Sequence, residues 1–189
     1  MSKRGRLIVI SGPSGVGKTS ICEALLKKPK YKRVITCTTR PPRGGEQEGV
    51  DYYFSARNDF EEGIRAGRFL EHAEVYGNLY GTPRSPVEEG IENGTDLLLN
   101  IDVQGARLVR DSEIPNLVTV FIDAPSEEEL EKRLLSRAAD SEEDIRQRLE
   151  IARNERKEKS AYQHIVVNDD FDRAVQELEA LLEAPVESN

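Results

Sequence analysis

Four apolar residues in a row, Leu-Ile-Val-Ile at 7–10, end abruptly in a run of glycines and small polar residues. A short unbroken apolar run matches a strand covered on both faces rather than the alternation of a half-exposed one. Residues 97–101, 117–122 and 164–167 repeat the pattern. Between these runs apolar positions recur every three or four residues, the period of an amphipathic helix. Residues 19–28 read as helix. Ser126 starts another, with Glu129 placed to complete a capping box and Leu130 and Leu134 as its apolar stripe. Ser141 can cap the next helix, on which Ile145, Leu149 and Ala152 share a face. Phe171, Ala174, Val175, Leu178, Leu181 and Leu182 predict a last packing helix, followed by a frayed "APVESN". Strands separated by helices imply an α/β fold with a parallel sheet flanked by helices.

Residues 34–83 break this rhythm. "RPPRGGEQEG" (40–49) holds too many glycines and prolines for regular structure. After it come short strand-like pieces around one helix, residues 57–66, which predict an inserted small mixed α+β sub-domain.

Charge narrows the class of ligand. The 189 residues carry a formal net charge of −8, which excludes general nucleic-acid binding through a basic surface. Any anion must be held by local clusters of Arg and Lys. Cys22 and Cys37 have no metal or disulfide spacing and read as small buried hydrophobes in a reducing compartment. His72 and His164 have no ligand partners in sequence and read as structural. No run approaches the roughly 18 apolar residues of a membrane span. The basic start reaches Gly and Ser after four apolar residues, so it reads as a strand and not as a signal peptide. A cytoplasmic location is expected, with no membrane partner; monomer and homo-oligomer stay equally open.

The clearest chemistry is in "GPSGVGKT" (12–19), which fits G-x-x-x-x-G-K-[ST] with a strand before it and a helix after it. Glycines let backbone N–H groups converge on an anion, and the helix N-terminus adds partial positive charge. Ser14, Gly15, Val16, Gly17, Lys18, Thr19 and Ser20 are therefore candidates to bind nucleotide phosphates, through a motif shared by kinases, GTPases and ATPase motors. Lys18 can reach the β- and γ-phosphates, and the Thr19 hydroxyl can ligate Mg2+. Asp102-Val-Gln-Gly105 adds a D-x-x-G behind the strand at 97–101. A GTPase would also need N-K-x-D, and "VNDD" (167–170) lacks the lysine.

Arg40 and Arg43 sit three apart on the flexible loop, where two guanidinium forks can clamp a monophosphate. Arg133 and Arg137 lie four apart on one helix, and Arg148 on the next. Arginines so placed can neutralise a transferring phosphoryl group, or can be solvated charges paired with neighbouring Glu. The runs "SEEELE" and "ARNERKEK" read as solvated helix faces.

"TCTTRPPRGGEQEGVDYYF" (36–54), "FLEHAEVYGNLYGT" (69–82) and "NIDVQG" (100–105), after that glycine turn, resemble the guanylate kinase family. "RLLSR", "RQRL" and "VNDD" continue the likeness, which covers residues 6–182. The resemblance implies a P-loop nucleoside-monophosphate kinase fold: a core (1–33, 84–126, 160–189), a GMP-binding sub-domain (34–83) and a helical lid region (127–159). It implies ATP and GMP as substrates with Mg2+ as cofactor. Lys18, Arg40, Arg137 and Arg148 then become the catalytic candidates, and Arg133 and Asn168 join the ATP side. Asn168 can touch adenine or merely cap a strand–helix junction. Thr36, Arg40, Arg43, Tyr52, Glu71, Tyr80, Thr82 and Asp102 fall at the GMP-binding positions. Tyr52 and Tyr80 can instead be packed in the core, and Asp102 can instead serve near magnesium. Glu46 reads as a residue that positions the loop arginines. The chain departs from the family at the Ala138-Ala139 turn and at Asn100, where relatives often have an acid. A peptide-reading relative without activity would have lost the lysine that this chain keeps at position 18.

Overall fold

A computed structural model of the chain describes residues 4–75, 77–135 and 142–184; of residues 142–145 it describes the backbone. The strands are β1 (Leu7–Ser11), β2 (Tyr31–Arg33), β3 (Thr36–Thr38), β4 (Tyr52–Phe54), β5 (Phe69–Val75), β6 (Asn78–Pro83), β7 (Asp96–Asn100), β8 (Leu117–Asp123) and β9 (His164–Val167). The helices are α1 (Lys18–Leu26), α2 (Arg57–Arg65), α3 (Arg84–Glu92), α4 (Val103–Asp111), α5 (Glu127–Leu135), α6 (Glu142–Lys157) and α7 (Phe171–Glu183), with a 3-10 turn at Glu158–Ala161. One sheet has the order β2-β7-β1-β8-β9 and a second the order β4-β3-β6-β5.

The first sheet follows from the apolar runs. Leu7, Ile8, Val9 and Ile10 are fully buried, as are Val120, Phe121 and Ile122. Burial of each such side chain contributes about 1.5–3 kcal/mol. The β2–β7 and β8–β9 pairs are parallel, although β2 (Tyr-Lys-Arg) is not an apolar run and β9 buries only Val166 fully. Thr119 and Gln163 pin the β8–β9 register by exchanging bonds: Thr119 N–H donates to the Gln163 amide oxygen (2.8 Å), and Gln163 N–H to the Thr119 hydroxyl (3.1 Å).

The chain divides into two compact units. Residues 4–8, 30–75, 77–99 and 104–117 form the described part of the first. It holds the second sheet, in which β3 pairs parallel to β4 and antiparallel to β6, and β5 pairs antiparallel to β6. Phe60 of α2 stacks on Phe69 of β5 at 4.3 Å between ring centres and closes that sheet's apolar side. The second unit holds residues 9–29, 100–103 and 118–184 of those described. In it lie the glycine turn, α1, α5, α6 and α7.

Several local expectations need correction. The Ser126 hydroxyl accepts from Glu129 N–H at 3.1 Å, but the Glu129 carboxylate turns to Arg133 (3.3 Å), so half of the capping box forms. The final helix buries Ala174, Leu178 and Leu182, while Phe171 stays 41% exposed. Helical side chains lean toward the N-terminus, so a residue in the first position projects past the helix body. Asp170 caps that helix by accepting from Arg173 N–H at 2.9 Å, which leaves no capping role for Asn168. Cys22 is buried but Cys37 is only half-buried; burial pushes its thiol up to about 11, with Glu48 adding to the shift. Leu149 and Ala152 are buried as expected. Ser141, the Ala138-Ala139 turn, the side chain of Ile145 and the terminal "PVESN" lie outside the described residues.

Candidate active site

In the second unit the site begins where β1 runs out. Gly12, Gly15 and Gly17 have φ of +138°, +88° and +93°, the region that side-chain-bearing residues avoid. A Cβ on Gly12 would lie 2.2 Å from the Ile122 carbonyl oxygen, so β8 passes too close for any other residue. Gly17 caps α1, and Lys18 and Thr19 are the helix's first residues, where N–H groups have no partner within the helix. The Lys18 ammonium folds back on the turn, donating to the carbonyls of Gly12 (2.5 Å) and Pro13 (2.8 Å). The Thr19 hydroxyl oxygen accepts from the Asn100 amide at 3.3 Å, while Ser14 and Ser20 are exposed. Val16 is fully buried, and its carbonyl accepts from the Asn168 amide at 2.7 Å. A Cβ on Gly15 would come within 3.1 Å of Leu134, so α5 leans on the turn and brings Arg133 to the same helix segment.

Two acidic residues extend this constellation. Asp102 follows β7 and is exposed. Glu155, on α6, faces the glycine turn beside Lys18, Asp102 and the Ser14 N–H. Burial pushes its carboxyl up and Asp102 adds to the rise, against the pull of Lys18 and the Ser14 N–H. Behind it Asp123, 3% exposed at the end of β8, is paired with Arg156 (2.7 Å) and Lys159 (3.2 Å) and accepts from Ala124 N–H at 2.9 Å. The "ARNERKEK" stretch is therefore not wholly a solvated face. Glu155 and Arg156 lie three and four residues after buried Ala152, and that spacing was the available signal. Arg148 is half-buried on α6, Arg133 pairs with Glu129, and Arg137 lies outside the described residues.

In the first unit the loop after β3 carries a built cluster. Arg40 is 11% exposed; its guanidinium donates to Glu46 (2.7 Å) and to the Pro41 carbonyl (2.7 Å) and lies 5.5 Å over the Tyr52 ring. Glu46 accepts from Arg40 through one oxygen and from Arg43 N–H through the other, at 2.7 Å. The Arg40 bond holds the Glu46 carboxyl below the usual range, and Glu46, helped by Tyr80, holds the guanidinium in its charged form. Thr38 supports the loop from inside the sheet: its hydroxyl donates to the Leu79 carbonyl (3.0 Å) and accepts from Arg40 N–H (3.2 Å). Tyr80 faces Tyr52 edge-on at 6.2 Å, and both rings are half-buried. Arg43 reaches into solvent, and Thr36 is half-buried at the start of β3.

Glu71 and Thr82 oppose each other across β5 and β6. Both are buried, and the Thr82 hydroxyl donates to Glu71 Oε1 at 2.6 Å. A buried carboxylate is costly unless hydrogen-bonded, and the Thr82 hydroxyl supplies one such bond.

Among the described residues no group of three or more His, Cys, Asp or Glu could hold a metal ion. The glycine turn is compatible with a different mode. The Thr19 oxygen has a second lone pair, and a magnesium ion keeps most of its ligands as water and substrate phosphate. Among the described residues, no helix is long and apolar enough to cross a membrane.

Comparison with known proteins shows the family. A family model described as guanylate kinase matches residues 4–185. The chain is 49% identical over 182 residues to a guanylate kinase of Symbiobacterium thermophilum, covering 96% of this chain and 86% of that one. It is equally identical over 182 residues to one of Hahella chejuensis, at 96% and 87% coverage. The crystal structure of guanylate kinase from Anaplasma phagocytophilum superimposes with a TM-score of 0.71 at 34% identity, over 96% of this chain and 86% of that one.

Proposed function

The chain belongs to the guanylate kinase family and has the fold of a P-loop nucleoside-monophosphate kinase, and from that premise we propose how its residues divide an ATP-dependent phosphoryl transfer to GMP. The products are ADP and GDP. The residues of the glycine turn, 14–20, hold the ATP phosphates, with Lys18 leaving the Gly12 and Pro13 carbonyls for the β- and γ-phosphates. Thr19 would hold Mg2+, which supplies neutralising charge to the phosphate oxygens.

The acceptor side belongs to residues 34–83. Arg40 and Arg43, with hydroxyls from Tyr52 and Tyr80, take the GMP phosphate. Glu46 keeps the Arg40 fork oriented before substrate arrives. Guanine presents N–H donors at N1 and N2 where adenine presents a bare N1 lone pair. The Glu71 carboxylate, held by Thr82 and flanked by Thr36, accepts from guanine and repels adenine. Asp102 adds a second carboxylate acceptor for the base. A GMP phosphate oxygen attacks the γ-phosphorus as the bond to the β-bridging oxygen breaks. A phosphate's second pKa is about 6, so the attacking group is already ionised and needs no base. Arg133, Arg137 and Arg148, in a lid at 127–159, offset the spreading charge and exclude water. The reaction takes place in the cytoplasm.

The observation that carries this reading is the buried Glu71–Thr82 pair, an acceptor site on the same sheet as the Arg40 loop. An acceptor panel tests it. With ATP and Mg2+, GMP should drive ADP formation far faster than AMP or UMP; comparable rates with AMP would sink the assignment of the base.

A further inference from the structure

Asn168 stands at the end of β9 with 7% of its surface exposed, outside any capping role. Its Nδ2 donates to the Val16 carbonyl at 2.7 Å. The same nitrogen lies 2.6 Å from the point where a Cβ on Gly17 would sit, so the amide is pressed against the turn. The backbone around Asn168 is itself fixed. Its N–H donates to the Asp123 carbonyl at 2.9 Å, and Val167 pairs in register with Asp123. The Asp123 side chain is anchored by Arg156 and Lys159.

A trans peptide points its C=O and its N–H in opposite directions. Holding the Val16 carbonyl toward Asn168 therefore turns the Gly17 N–H to the other side of the turn. We propose that Asn168 is a positioning residue for the triphosphate: its buried amide pins the Val16–Gly17 peptide and so aims the Gly17 N–H at the anion. The nucleotide base plays no part in this role. Asn168 acts through the turn, and its effect is the same for any triphosphate. The idea rests on the reading of residues 12–19 as a triphosphate cradle.

Inorganic tripolyphosphate, which has no base, separates the possibilities. Dissociation constants of ATP and tripolyphosphate, each with Mg2+, are measured by calorimetry for the parent, Asn168→Ala and Asn168→Asp. Both substitutions remove the donor, and the second keeps the shape. Each should weaken ATP and tripolyphosphate by the same factor, about tenfold, for one lost hydrogen bond and an unsatisfied carbonyl. GMP affinity, measured alongside, should stay within about twofold of the parent, a test of fold that the turn does not influence. Loss of ATP binding with tripolyphosphate unchanged would show that Asn168 reads the base and would overturn the inference. Unchanged binding of both ligands in either folded variant would overturn it too. A parent that binds ATP but not tripolyphosphate removes the cradle reading itself, and the inference with it.

Discussion

At the scale of single residues, the proposed guanine-reading role of Glu71 makes a sharp prediction. Glu71→Gln keeps an oxygen for the Thr82 hydroxyl, so the β5–β6 pair survives. The amide nitrogen, however, would present a donor to guanine where, in the proposed site, a carboxylate oxygen accepts. A hydrogen bond to a charged group contributes about 1.5–3 kcal/mol, so kcat/KM for GMP should fall roughly 10–100-fold with little change for AMP. Steady-state kinetics on both acceptors checks it; unchanged GMP preference would remove Glu71 from the site. Glu155 makes a prediction about pH. Its folded carboxyl is raised, chiefly by burial, so the native state holds more protons than the unfolded chain between the two titrations. Stability is therefore greatest below the unfolded value, near 4.3, and falls as pH rises through the folded one. Glu155→Gln still accepts from Ser14 N–H and carries no charge. It should melt above the parent at pH 7 and level with it near pH 4. The phosphate turn was legible because its residues lie side by side in sequence. Glu155, Asn100 and Asp123 were not, because their partners come from distant segments: Asn100 meets Thr19 and Asp123 meets Arg156 only in the folded unit.

At the scale of elements, ion pairs hold α6 to its neighbours: Arg153 pairs with Glu127 and Arg156 with Asp123. Leu149 and Ala152 are buried on the same helix, and Asp123 is itself only 3% exposed. Arg156→Met leaves Asp123 with Lys159 and the Ala124 N–H, so the charge is not orphaned. The expected cost is about 2 kcal/mol, below the 3–5 typical of a wholly broken buried pair. For a chain of this size it should lower the Tm by about 6 °C in a calorimetric scan. Arg148 sits on the same helix, so kcat should fall further than stability alone explains. The long elements were readable in advance because burial imposes a period. Strands β1, β7 and β8 and helices α5, α6 and α7 carry that mark; β9, expected to be covered on both faces, leaves Ile165 41% and Val167 40% exposed. Strand β2 has three residues with only Tyr31 buried, too short a run for any period to show. Helix α4 begins straight after the Asp102 turn, and α3 opens at Pro83, whose β-region backbone ends a strand as readily as it starts a helix. The β3 loop was readable as irregular from its glycines and prolines. That Glu46 binds both arginine positions at once depends on how the loop closes, which composition alone does not specify.

At the scale of the whole molecule, the residues to which the proposed chemistry is assigned are divided between the two compact units. The glycine turn, Thr19, Asp102, Arg148, Glu155 and Asn168 belong to one; Arg40, Arg43, Tyr52, Glu71, Tyr80 and Thr82 belong to the other. Transfer needs the attacking oxygen about 3–3.5 Å from phosphorus and in line with the leaving group. In the proposed reaction each bound nucleotide therefore has to favour a state in which both sets of residues are engaged. One molecule that joins adenosine to guanosine through five phosphates engages both halves for a single loss of translational freedom. Linking two binding groups raises overall affinity by about 10²–10⁴ when the geometry allows both to bind. Such a compound should therefore bind at least a hundredfold more tightly than ATP or GMP, and should raise the melting temperature more than the two nucleotides added together. Its advantage should vanish in Arg40→Met and in Lys18→Met alike, since each removes one of the two anchors. Calorimetric titration of the parent and both variants decides the matter. Equal affinity for the joined compound and for ATP would mean that the two sets of residues never act on one line of phosphates.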